Sequence, residues 1–210
     1  MKPTSFKSIG EKYDWYANDA NPDHFQNGDV INVYGTSLLS AIISSSDKQH
    51  GEGKITTHSE LCMMLIVNGV ERRVIWQAIE AEAGGVIPMY LSDAVKNGCS
   101  DFRIIRANKP QPEIDAATSK SYGFAESGIP YDKWALPKIL WYEMWGRQKA
   151  IHTNYPNKQI CSGYTGITYL GQLVTCYQSS LLKRGFLSPQ DLFRYADSQI
   201  TILATEPIIP

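Results

Sequence analysis

Lys158-Gln159-Ile160-Cys161-Ser162-Gly163-Tyr164 opens a long helical pattern and sets a cysteine in its first turn. From Ile160 the apolar and aromatic residues recur at Tyr164, Ile167, Leu170, Val174, Tyr177 and Leu181, spacings of three and four that trace one helix face. The pattern predicts a buried helix with Asn157 as its N-cap and a stop at Lys183, Arg184 and Gly185. In a first turn, unpaired N–H groups and the positive end of the helix dipole favour thiolate over thiol. The same N–H groups can steady an oxyanion. A first-turn cysteine alone is as readily a small buried hydrophobe, so the reading depends on partners elsewhere in the chain.

The 210 residues are enough for one sizeable core and short for two. A hydrophobic share of 43% and a charged share of 20% are those of a globular chain, which excludes a disordered or fibrous class. The formal net charge is -1 and no basic stripe stands out, so a nucleic-acid partner is not expected. Cys62, Cys99, Cys161 and Cys176 lie far apart without a CxxC pair or a matching His spacing, so neither a metal nor another cofactor is expected. The first residues lack an apolar signal core, and no apolar run reaches the roughly 18 residues that a membrane span requires. The expectation is synthesis in the cytoplasm, with any export by a route the sequence does not encode.

In chain order, residues 1–27 read as an irregular lead-in packed on the core by its rings, and residues 28–210 as a single domain. Asn27-Gly28-Asp29 is a turn, Val30 to Tyr34 a strand, and Thr36 to Ile43 a short helix. Residues 55–67 and 73–81 are strands joined through Asn68-Gly69, a probe of which is the antiparallel hairpin they should form. Gly84 to Pro88 breaks the pattern. A short helix over 91–96, a strand over 102–106 and a helix over 112–126 follow. Gly128-Ile129-Pro130-Tyr131-Asp132 is a turn that delivers an aromatic hydroxyl. Trp134, Trp141 and Trp145 read as core or lid packing. Ser188-Pro189-Gln190-Asp191 is a capped helix start, and Ile200 to Leu203 a last strand.

Three polar residues stand out: Cys161 opening its helix, His58 at a strand edge, and Glu80 on the strand that returns. A thiol needs a base to hold it as thiolate, and an imidazole needs a third group to fix its tautomer. The hairpin would set His58 beside Glu80, with Glu82 and Gln77 as alternatives. Cys62 and Cys176 read as core residues, and His24 and His152 as loop residues.

Gly28-Asp29-Val30-Ile31, Thr57-His58-Ser59-Glu60-Leu61, Ile79-Glu80-Ala81, Gly84-Gly85-Val86, Ile129-Pro130-Tyr131-Asp132, Cys161-Ser162-Gly163 and Ser188-Pro189-Gln190-Asp191-Leu192 fall in an ordered set. The set resembles the circularly permuted branch of the NlpC/P60 superfamily, which includes the YiiX/YebB-like papain-fold hydrolases and, more distantly, lecithin:retinol acyltransferase. The resemblance implies an α+β fold of permuted papain type, an antiparallel sheet packed against helices that include the cysteine helix. It also implies Cys161 as nucleophile, His58 as base, Glu80 as third member and Tyr131 at the oxyanion.

The expected activity is a cysteine peptidase or amidase that forms an acyl-enzyme on an amide bond, with a peptidoglycan-type peptide or another small amide as substrate. Trp134 and Ser162 are the candidate substrate-binding residues. The alternatives are an acyltransferase or thioesterase acting on lipid or small acyl substrates, and a non-catalytic binding module of the same fold.

Overall fold

Asn68 and Gly69 both take positive φ, 52° and 76°, and fold β2 (His58–Val67) back onto β3 (Val70–Ala78). Only residues that tolerate the left-handed region make this tight turn, and its twist matches that of the strands it joins. The register pairs Val67 with Val70 and Leu61 with Trp76, so the expected hairpin is present. It is the centre of a computed structural model that describes residues 5–36, 40–41, 56–78, 85–135, 137–139, 141, 157–158, 160–174, 187–194 and 199–203.

With β1 (Val30–Gly35), β4 (Val86–Tyr90), β5 (Cys99–Ala107) and β6 (Ile200–Leu203), the hairpin forms a six-stranded sheet in the order β4-β3-β2-β1-β5-β6, every pair antiparallel. Among the described residues four helices pack on it: α1 (Ile9–Ala17), α2 (Leu91–Gly98), α3 (Gln111–Glu126), and α4, which runs as the α-turn Cys161–Gly163, the π-helix Tyr164–Leu170 and the α-turn Gly171–Leu173. A short α5 (Asp191–Arg194) precedes β6.

Strand alternation divides the core into two layers. Val30, Leu61, Met63, Ile105 and Ala107 join α3 and α4 on one face, and Ile31, Val33, Cys62, Phe102 and Ile104 join α1 and α2 on the other. Both faces of β2 are therefore covered over Leu61 to Met63, while the apolar run continues beyond that cover to Ile66, which is 79% exposed. Burying a large side chain such as Tyr164, Tyr169 or Phe102 stabilises the fold by roughly 1.5–3 kcal/mol each.

Four expectations are corrected. The lead-in is not irregular throughout, because Ser8 Oγ caps α1 by accepting from the Glu11 N–H at 3.1 Å while Glu11 Oε2 accepts from the Lys7 N–H at 2.6 Å. This is a capping arrangement with the Ser-x-x-Glu spacing. Its rings do reach the core, with Tyr16 and Phe25 buried against Phe102. The break at 84–88 becomes a strand from Val86. Pro88 is tolerated there because β4 is an edge, where a missing N–H has no neighbouring strand to serve.

The remaining two corrections concern α4. It ends at Leu173, since Val174 is extended at φ -138° and ψ 125°, although the apolar period continues beyond it. Its N-cap is the extended Ile160, which gives no side-chain cap bond, and not Asn157. Most of the expected helix over 36–43 lies outside the described residues, as do Cys176, His152 and Trp145.

Candidate active site

Cys161 is the first residue of α4, buried at 8% exposure among Leu61, Met63 and the aromatic rings of its own helix. The thiol lies in hydrogen-bonding contact with the His58 ring, and the backbone N–H groups of Ser59 and Ser162 point to the same sulfur. Burial alone would push the thiol up. The His58 charge, the His58 hydrogen bond and the two amides outweigh it and bring Cys161 below its ordinary value.

His58 opens β2, opposite Val33 of β1. Its Nε2 lies 3.8 Å from Glu60 Oε1, two residues on along the strand. Alternation gives Glu60 the side of β2 that Cys62 takes, whereas Leu61 and Met63 join the layer of Cys161. The His58 ring, at the start of β2, is thus the group that both the thiol and the carboxyl meet. Burial pushes the Glu60 carboxyl up to about 7, against the lowering effect of His58. Its second oxygen, Oε2, is buried with no hydrogen-bond partner among the described residues.

Residues 187–191 fix α4 to the sheet at this point. Ser162 Oγ donates to the Leu187 carbonyl at 2.5 Å, Asn32 Nδ2 of β1 donates to the Pro189 carbonyl at 2.9 Å, and the Thr56 N–H donates to Gln190 Oε1 at 3.2 Å. The segment is itself a closed cap, with Asp191 Oδ2 accepting from the Ser188 N–H and Ser188 Oγ from the Asp191 N–H. A Cβ added at Gly166 would come within 2.7 Å of Leu192 and 3.0 Å of Leu187, so the helix meets this segment closely at a glycine. The side chain after Cys161 and a backbone group two residues before His58 therefore hang on one short loop.

Of the residues singled out from the sequence, the structure brings together Cys161 and His58. Glu80 and Glu82 lie outside the described residues, and Gln77 is described only as part of β3. Tyr131 is partly buried and packs against the cluster that holds Cys161. Trp134 is 70% exposed. The Ser162 side chain is fully buried and committed to Leu187, which corrects its assignment as a substrate-binding hydroxyl. His24 places Nδ1 2.7 Å from the Asn21 carbonyl within the lead-in.

Glu60 stands beside His58 although the sequence pattern pointed to the following strand. Its signal was the i, i+2 spacing from His58 on a strand, which sets two side chains on one side. Among the described residues no group of three or more His, Cys, Asp or Glu is placed to hold a metal ion.

A thiol, an imidazole and a carboxyl thus meet where a helix N-terminus abuts the antiparallel sheet of an α+β fold. The sequence matches no protein-family model and no curated protein. Among solved structures the chain is similar to the metalloprotein YiiX of Escherichia coli O157:H7, a DUF1105 protein, with a TM-score of 0.51 and 18% identity over 86% of this chain and 97% of that one. The likeness is one of fold, and YiiX is of the group that the ordered motifs resemble.

Proposed function

We propose that this chain is a cysteine hydrolase on a circularly permuted papain-like fold of NlpC/P60 type, and that it cleaves amide bonds through an acyl-enzyme. The observation that carries the reading is the contact between Cys161 and His58, with the thiol held below its ordinary value despite burial. In the proposed reaction the Cys161 thiolate adds to the amide carbonyl carbon, forming a C–S bond and an oxyanion. First-turn N–H groups of α4, and Tyr131, steady that charge. The oxyanion collapses as the C–N bond breaks, and the His58 imidazolium gives its proton to the leaving amine. Neutral His58 then takes a proton from water, whose oxygen attacks the thioester. The C–S bond breaks, the acid leaves, and the thiolate–imidazolium pair is restored.

Small peptides, including those of peptidoglycan type, are the substrate class we propose. Trp134 and Trp141, 70% and 57% exposed, favour a second reading in which a lipid or amine accepts the acyl group in place of water. An activated ester such as p-nitrophenyl acetate tests the shared step. A burst of p-nitrophenolate with an acetyl mass on Cys161 is expected, absent in Cys161→Ala. No burst, or acetylation confined to another residue, would overturn the reading. Product analysis with a vesicle-borne amine acceptor separates hydrolysis from transfer.

A further inference from the structure

We infer that Glu60 is the positioning residue of the site, the group that holds the His58 ring and stabilises its protonated form. The inference rests on the Cys161–His58 reading above and names the third member within β2 itself.

Three observations carry it. First, Glu60 Oε1 lies 3.8 Å from His58 Nε2, and the two residues share one side of the strand, so rotation of the ring changes that contact directly. Second, the Glu60 side chain is 4% exposed against 22% for His58, so the carboxyl is the more deeply buried member of the pair and the less open to a substrate. Third, Oε2 is buried without a hydrogen-bond partner among the described residues. A buried carboxyl with an unsatisfied oxygen costs stability, and an apolar residue of similar volume would avoid that cost. Directly across the sheet its neighbour is Ile31, so on β1 there is no cation at that position to offset the charge. The one polar contact described for the carboxyl is His58.

With Nε2 turned to Glu60, Nδ1 is the ring nitrogen left for the thiol, which fixes the tautomer that the proposed reaction needs. Glu60 touches neither substrate nor sulfur. Its effect is on the proton affinity and direction of the ring.

The experiment follows the His58 ring by NMR titration in Cys161→Ala, where no thiolate contributes. Glu60→Gln in that background is expected to lower the His58 inflection by about one unit, a tenfold loss of proton affinity, and Glu60→Asp to restore at least part of it. An unmoved His58 inflection in a folded Glu60→Gln chain overturns the inference. Should that variant fail to fold, the Glu60 carboxyl is titrated in a chain with only Cys161→Ala and again with His58→Gln added. A rise of the Glu60 inflection on loss of the imidazole supports the pair, and an unchanged inflection overturns it. Because none of these readouts needs turnover, a failed p-nitrophenyl acetate burst contradicts the proposed hydrolase and leaves the Glu60 result to stand or fall separately.

Discussion

The Ser162 hydroxyl, one residue after the cysteine, donates to the Leu187 carbonyl 25 residues further on, at 2.5 Å and wholly out of solvent. This bond ties the first turn of α4 to the segment that also holds Asn32 and Thr56. The order at Cys161 is therefore a property of packing between distant parts of the chain.

Ser162→Ala should destabilise the protein by about 1–3 kcal/mol, because it leaves a buried carbonyl without its donor. Urea unfolding followed by tryptophan fluorescence measures this. An unchanged midpoint and slope would show that the hydroxyl does not secure the helix.

Glu60 should make stability fall as pH rises. Below the ordinary carboxyl range the group is protonated in both states and contributes nothing. Between its unfolded value near 4.5 and its folded value of about 7, the unfolded chain has released a proton that the folded chain keeps, so the folded state loses ground with increasing pH. The loss amounts to about 3 kcal/mol at most, the attraction of His58 being already contained in the folded value. Glu60→Gln should flatten the profile across that window, and parallel profiles for the two chains would contradict the account.

Lys12 is fully buried, with Nζ 2.6 Å from Asp101 Oδ1 and 2.8 Å from the Phe102 carbonyl. Lys12→Met removes the cation that meets Asp101 inside the fold and should cost about 3–5 kcal/mol. Adding Asp101→Asn should recover much of that loss. A single variant as stable as the parent chain would show that the pair does not hold α1 to β5.

The sequence and the structure agree where local chemistry decides the outcome. Asn68-Gly69 specifies a tight hairpin, the Ser188-to-Asp191 spacing specifies a cap, and Ile200–Leu203 is a strand by its β-branched residues. They part where distant contacts decide. The apolar period through Val174 continues past the end of α4, because periodicity records which residues are buried and not where the backbone leaves the helix. The capping pair of Ser8 and Glu11 sits in a polar segment whose rings drew attention first. The buried bond of Ser162 is not legible locally because its partner, Leu187, lies 25 residues away. Glu60 is set on the side of His58 by the alternation of β2, whereas Glu80, expected on the following strand, lies outside the described residues.

The central claim is that His58 holds Cys161 as a reactive thiolate, and alkylation by iodoacetamide across pH, located by peptide mass spectrometry, tests it most directly. The expected result is modification concentrated on Cys161, with an inflection below the ordinary thiol value of about 8.5 that rises by one unit or more in His58→Ala. Modification concentrated on Cys62, Cys99 or Cys176, or a Cys161 inflection that His58→Ala leaves in place, would contradict it.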